Sequence, residues 1–91
     1  MGKGRMDNLL SMAQRAGKVV SGDLAVQKAL TAGQARLLIL ATDASDDTKK
    51  KYGNLARQHK VKVVEGLTKD ALGHCLGKEY RAVAALLDRG F

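Results

Sequence analysis

His74 and Cys75 are the first residues whose types suggest chemistry, since a thiolate beside an imidazole is a nucleophile with its base. Their spacing argues against it. Neighbours on a helix point about 100° apart, which separates the sulfur from the ring nitrogens. The pair reads as a small buried cysteine beside a surface histidine. His59 closes an apolar stripe near a helix C-terminus, where packing or capping is the expected role. One cysteine and two distant histidines do not supply zinc-ligand spacing. Asp46 and Asp47 fall in the first turn of a helix, where the dipole favours carboxylates without any catalytic role. Neither Gly-x-x-x-x-Gly-Lys-Ser/Thr nor a Gly-x-Gly-x-x-Gly after a strand occurs, so both phosphate-cradling fingerprints are missing. No enzyme, metal or cofactor is expected.

Charge points elsewhere. Sixteen Lys and Arg against nine Asp and Glu give +7, a surplus that attracts polyanions and gains from counterion release. Aromatics are only 3% of the chain, which removes binding modes that stack bases on several exposed rings. Tyr52 lies on an apolar stripe and Phe91 is the last residue, leaving Tyr80 as the free ring. What is left is a shape-reading mode, in which backbone amides, helix N-termini and a few Lys or Arg meet phosphates and base edges.

Two segments suit that mode. In Ser21-Gly22-Asp23-Leu24-Ala25-Val26-Gln27-Lys28, Gly22 permits a close backbone approach at a strand-to-helix turn, and Gln27 and Lys28 follow a turn later. The second, Gly77-Lys78-Glu79-Tyr80-Arg81, is a loop between the last helix and the last strand. Loops at one edge of a β/α sandwich can meet in space. Lys28 has an ordinary alternative as a solvated helix charge, pairing with Asp23 or nothing.

The elements that must position these segments alternate. Asp7 caps a predicted helix over residues 8–16, with Leu9, Met12, Ala13 and Ala16 on one stripe and Gly17 as its stop. A short strand over 18–21 follows. Gly22 and Asp23 open a second helix with Val26, Ala29 and Leu30 inward, ended by Gly33. The continuous apolar run from Leu37 to Thr42 marks a strand covered on both faces. Ser45 or Asp46 starts a third helix, with Thr48, Tyr52, Leu55, Ala56 and His59 inward and Lys49, Lys50, Asn54, Arg57 and Gln58 outward. Residues 62–65 read as a strand, Thr68 caps a helix carrying Leu72, Cys75 and Leu76, and 82–87 is the last strand. Strands alternating with helices of about ten residues mean an α/β sandwich with its sheet covered on both sides.

At 91 residues this is one domain, residues 7–91, behind a loose basic leader over 1–6 that includes Gly2-Lys3-Gly4-Arg5. The longest apolar run is too short to cross a bilayer, and no signal-peptide core is present. A lone cysteine fits a reducing compartment, so a cytoplasmic location is expected.

In register, several weak motifs become specific. Gly17-Lys18-Val19-Val20-Ser21-Gly22-x-x-x-Val26-x-Lys28-Ala29-Leu30, then Gly33-Gln34-Ala35-Arg36-Leu37-Leu38-Ile39-Leu40-Ala41-x-Asp43-Ala44, then Leu72-Gly73-x-x-x-Gly77 before a Val-Ala strand, resembles the L7Ae/L30e ribosomal protein family. A bacterial branch of it is the nearer likeness, on Asp43-Ala44-Ser45-x-x-Thr48-Lys49-Lys50-Lys51 and the ending Asp88-x-Gly90-Phe91. The resemblance covers the chain from residue 7 onward.

It implies a three-layer α-β-α sandwich with a four-stranded mixed sheet, and binding to kink-turn RNA, a sharply bent helix–internal loop–helix with tandem sheared G·A pairs. The family's Gly-Thr-Asn-Glu-x-x-Lys segment enters the RNA major groove at the kink. Gly22 and Lys28 match that pattern and Val26 its apolar position; Asp23, Leu24 and Ala25 do not. Where the archaeal proteins read guanines through Asn-Glu, this chain has Leu24-Ala25, whose side chains form no hydrogen bonds. The later loop, Glu79 to Ala82, matches an apolar family loop against a flipped-out nucleotide but is more polar here, with Tyr80 to stack and Arg81 to meet phosphate.

The expected RNA-binding set is therefore Lys18 and Lys28 on phosphates, Gly22 and Gln27 near base edges and Arg36 and Arg81 flanking, with Asp23, Lys78 and Tyr80 completing the two segments. The expected partner is kink-turn RNA, in ribosomal RNA or another structured transcript, and the free protein is expected to be a monomer. The rival reading is a protein-interaction module of a ribosome- or transcription-associated complex, with the basic charge incidental.

Overall fold

A computed structural model describes residues 10–87. The basic leader, the Asp7 cap, Leu9 and the closing Asp88 to Phe91 lie outside the described residues. Within them the order is helix α1 (residues 10–15), β1 (Val19–Ser21), α2 (Asp23–Thr31), β2 (Ala35–Ala41), α3 (Asp46–His59), β3 (Lys62–Leu67), α4 (Lys69–Cys75) and β4 (Val83–Leu87).

The continuous apolar run of β2 explains the layering. Successive strand residues point to opposite faces, so a strand covered on one side alternates apolar with polar, and one covered on both does not. Leu38 and Leu40 pack with Val26, Leu30, Tyr52 and Ala56 of α2 and α3. Ile39 and Ala41 pack on the other face with Leu10 of α1 and with Leu72 and Leu76 in and just after α4. Strand β4 divides the same way, Val83 and Ala85 to one cluster and Ala84 to the other. The result is a three-layer α-β-α sandwich.

The sheet has four strands in the order β1-β4-β2-β3. β4 runs antiparallel to both β1 and β2, and β2 is parallel to β3, so β1, β2 and β3 share one direction. The sheet is mixed. Because each of those three strands runs straight into a helix, α2, α3 and α4 all start at the same sheet end. That end carries the C-termini of β1, β2 and β3 and the chain entering β4.

Several sequence expectations change in detail. β2 begins two residues early, at Ala35, and β3 runs on to Leu67 through a register shift beside Leu40 and Ala41 that leaves Gly66 without a paired residue. Glycine is suited to such a bulge, so Gly66 does not end the strand. His59 is exposed rather than packed: the inward stripe of α3 stops at Ala56, and Lys60 closes the helix in the left-handed conformation. Thr48 belongs to the N-terminal cap, its N–H donating to Ser45 Oγ at 3.1 Å. Lys49 does not face away; it is half-buried, with Nζ 2.8 Å from the Thr42 carbonyl oxygen and 3.3 Å from Glu65 Oε1. Cys75 is only partly buried, at the margin of the α1/α4 cluster, and His74 is exposed.

Candidate nucleic-acid interface

The two segments singled out from the sequence do meet, at the sheet end where the helices begin. Ser21 ends β1 and pairs with Ala84, so the chain entering β4 lies directly beside the turn into α2. Gly22 makes that turn alone. It sits at φ 89° and ψ 160°, a conformation closed to residues with a Cβ, and its N–H donates to the Val83 carbonyl at 3.2 Å. From the other segment, Arg81 donates through Nε to Ser21 Oγ at 3.1 Å and through its Nη1 to the Tyr80 carbonyl at 2.6 Å. Its remaining guanidinium nitrogen has no partner in these two bonds, so a fixed cation stands beside the start of α2.

The three helix starts differ. Ser45 Oγ caps α3, whose first turn carries Asp46 and Asp47. Thr68 caps α4, and Asp43 Oδ1 accepts from the Lys69 N–H at 2.8 Å. α2 starts at Gly22, with no side-chain cap. Its first-turn amides are therefore not satisfied by a cap and face outward with the positive end of the helix dipole.

The loop before β4 is held by a close backbone approach. A Cβ on Gly73 of α4 would run into the Glu79 carbonyl and come within 3.0 Å of Tyr80 Cα. With hydrogen there instead, the loop lies against the helix, and the Arg81 N–H donates to the Lys69 carbonyl at 3.2 Å. Tyr80 is held out on this loop, 63% exposed. Lys78 is exposed beside it. Leu24, in the first turn of α2, is 81% exposed, so the position that is polar in the resembling proteins does face solvent here.

Asp23 is tied to the core. The Tyr52 ring is fully buried between α2, α3 and the sheet. Its hydroxyl reaches up to α2, where it donates to the Asp23 carboxylate and lies 3.4 Å from the Asp23 carbonyl oxygen. Burial pushes the phenol up to about 12; the Asp23 hydrogen bond adds to this and a Gln27 hydrogen bond opposes it.

Not all predicted residues converge. Lys28 is exposed on α2, about 9 Å along the axis from Gly22 at 1.5 Å per residue. Lys18 precedes β1, and its carbonyl accepts from Leu87 at the far end of β4. It is about 13 Å from Gly22 at 3.3 Å per strand residue. Arg36 is also at that far end, since its neighbour Ala35 pairs with Leu87. The cluster is thus Gly22, Asp23, Gln27, Lys78, Tyr80 and Arg81, with Lys28 at its border and Lys18 and Arg36 at the opposite end.

Sequence reasoning omitted Ser21, Tyr52 and Gly73 from the site. Gly73 alone carried a readable signal, as a glycine inside a helical pattern. Tyr52 reads as core from its spacing, and its hydroxyl partner lies 29 residues away. Among the described residues no group of three His, Cys, Asp or Glu is placed to hold a metal ion, and no helix is long and apolar enough to cross a membrane.

This architecture recurs in known proteins. A relative named RNA-binding protein YlxQ, from Bacillus subtilis, is 41% identical over 83 residues, covering 91% of this chain and 83% of its own. One of the same name from Enterococcus faecium is 31% identical over 84 residues, covering 92% and 81%. A solved structure of a Bacillus halodurans protein with unknown function superposes with a TM-score of 0.85 at 34% identity, covering 92% of this chain and 85% of that one. The Giardia lamblia 15.5kD RNA binding protein shares the fold at a TM-score of 0.79 and 22% identity, covering 93% and 72%. The profile of the ribosomal protein L7Ae/L30e/S12e/Gadd45 family matches residues 4–90, and the chain belongs to that family.

Proposed function

We propose that this chain is a non-catalytic, cytoplasmic RNA-binding protein that recognises a kink-turn or similarly bent element, in ribosomal RNA or another structured transcript, at the N-terminal end of α2. The observation that carries the reading is the junction of the glycine turn into α2 with the basic loop before β4 at one sheet end, fixed by the Arg81–Ser21 hydrogen bond. Both sheet faces are covered by helices, so no open sheet is left for bases to stack on, and contact falls to the sheet end. The Bacillus and Enterococcus relatives carry RNA-binding names, in keeping with this. Gly22 lets the α2 backbone approach the RNA, Arg81 and Lys78 take phosphates, Tyr80 stacks on an unpaired base, and Lys28 meets the backbone of the neighbouring stem. Lys18 and Arg36, at the far end, serve only an RNA long enough to run along the domain.

The test is a titration of a kink-turn RNA against the same duplex with its G·A pairs replaced by Watson–Crick pairs, at two salt concentrations. Tighter binding to the kinked RNA is expected, with both affinities falling as salt rises. Equal affinity for the two removes the kink-turn reading, and absence of binding to either removes the RNA reading. Lys28→Ala should weaken binding without changing the urea midpoint; a large loss of stability would make Lys28 structural.

One observation favours a second reading, a protein-interaction module. An open apolar groove of about 430 Å³ lies between α2 and the sheet, lined by Val20, Ala25, Ala29, Ala32 and Leu87 with Lys28 and Gln34 beside them. Capture of a partner protein that survives ribonuclease treatment would support it.

A further inference from the structure

Charge is segregated along the strands. Asp23, Asp46, Asp47 and Asp70 stand in the first turns of α2, α3 and α4. Asp43 accepts from the Lys69 N–H, Glu65 is in register with Leu40 late in β3, and Glu79 lies in the loop entering β4. All are at the end where the helices begin, and they are every carboxylate among the described residues. Asp7 and Asp88 lie outside the described residues. The opposite end carries cations. Lys60 closes α3 with its N–H 3.3 Å from the Arg57 carbonyl oxygen, and the Val61 N–H donates to the Ala56 carbonyl at 2.8 Å. This tight turn sets Arg57, Lys60 and Lys62 together where α3 passes into β3, all three exposed. Lys62 is in register with Leu37, about 4.8 Å away on the next strand, so Arg36 is beside it. Lys18, before β1, is two strand spacings further on, which makes a row about 14 Å wide.

Single cations here have local reasons. The negative end of the α3 dipole favours Arg57 and His59, and charge on an edge strand such as β3 blocks pairing with another sheet. Neither reason keeps carboxylates away from the strand starts. β3 shows the contrast within one strand: Glu65 pairs with Lys49 at 3.3 Å, whereas Lys62, three residues earlier, has no described carboxylate as partner, and neither have Arg57 and Lys60. Like charges gathered on one end repel one another and attract a polyanion.

We propose that this end is a second RNA contact, in which Arg57, Lys60 and Lys62, with Arg36 and Lys18 alongside, hold the phosphate backbone of a base-paired stem without reading its sequence. Among the described aromatics Tyr52 is buried and Tyr80 is at the other end, so unpaired bases find no ring to stack on here. Protein interfaces centre on apolar anchors, and the chain from Arg57 to Lys62 exposes none. A backbone of regularly spaced phosphates is the anion that a row of cations fits. From Ala35 to Ala41 β2 spans about 20 Å, well beyond the screening length of about 8 Å, so the two ends act independently. A stem held here is separate from the bent element at the α2 turn, and in one long RNA the protein clamps the two a domain's length apart. This contact shares with the reading above only the premise that the ligand is RNA.

The experiment compares two double variants of equal net charge, Arg57→Gln with Lys62→Gln at this end and Lys50→Gln with Lys51→Gln on the exposed face of α3 nearer its start. Each is titrated with a plain Watson–Crick RNA duplex as salt rises from about 50 to 200 mM. Each phosphate contact adds about 0.9 to the salt slope, so losing two makes the fall in affinity over that range about 10-fold smaller. That change is expected in the first variant and not in the second. Arg57→Lys with Lys62→Arg, which keeps the charge, should bind duplex as wild type does. Wild type already saturated with a short kink-turn RNA should still take up labelled duplex, and Arg57→Gln with Lys62→Gln should take up about 10-fold less. Equal duplex affinity and salt slope in the two double variants overturns the proposal, as does failure of the saturated wild type to take up duplex. Polyglutamate of equal charge that displaces the duplex as well as unlabelled duplex does would make this a general anion surface and overturn its assignment to RNA. Absence of wild-type binding to any RNA overturns the RNA reading itself, a result separate from these.

Discussion

Gly22→Ala isolates the backbone that carries the proposed interface. A Cβ built on Gly22 meets nothing within 4 Å, so the substitution adds no clash. Its whole effect is torsional. At φ 89° and ψ 160° the residue occupies a region essentially restricted to glycine, and forcing alanine into it costs about 1–3 kcal/mol. If the backbone instead relaxes to negative φ, the N–H turns away from the Val83 carbonyl, and a bond worth about 1 kcal/mol is lost together with the direction of α2. Either route gives a loss of at least about 1 kcal/mol, or about 4–8 °C in Tm for a domain of this size. Urea and thermal unfolding measure it. A chemically synthesised chain with D-alanine at residue 22, for which positive φ is the relaxed conformation, should unfold close to wild type. An L-alanine variant within about 0.5 kcal/mol of wild type, the range of a neutral surface change, would refute the reasoning, as would a D-alanine chain no more stable than the L form.

Other consequences are open to measurement. Gly73→Ala places a methyl group on the Glu79 carbonyl and should cost about 1–3 kcal/mol through the forced shift of the loop, with a parallel loss of RNA affinity; unchanged stability would show that the loop moves freely. The double substitution Leu24→Asn with Ala25→Glu restores hydrogen-bonding side chains at a helix start where Leu24 is 81% exposed. It should sharpen preference for a kink-turn RNA by about 10-fold, within the range of one or two base contacts, and no gain would mean that this turn does not face the bases. Tyr52 has a folded-state pKa pushed up from 10 to about 12, so its contribution to stability is complete below pH 10 and is lost as pH rises toward 12. Tyr52→Phe should therefore flatten the alkaline decline in the urea midpoint between those values, and an unchanged decline would assign it to other groups.

The order of elements was legible because burial leaves a period in the sequence. The uninterrupted apolar run at Leu37 to Ala41 shows a strand covered on both faces, and its neighbours Leu38 and Ile39 do lie in opposite clusters. Glycines at 17, 22 and 33 marked turns, and each has positive φ. Where such signals are local, sequence reads them well. His59 continued the spacing of its helix but not its burial, since the buried stripe of α3 ends at Ala56, and no residue type announces where a helix face leaves its neighbours.

The candidate site divides along the same line. The sequence by itself determined the basic surplus, the shortage of exposed rings, the glycine turn into α2 and the basic loop before β4, because each depends on residue type or short spacing. Which of these meet was decided by the tertiary structure alone. Strand direction in the sheet brings Arg81 to Ser21 across 60 positions of chain and sends Lys18 and Arg36 to the opposite end, although Lys18 is only four residues from Gly22. The Tyr52–Asp23 bond spans 29 positions and joins a core stripe to a surface turn. Composition and periodicity describe one element at a time, whereas hydrogen bonds between elements depend on sheet order and helix placement, which exist only once the chain has packed.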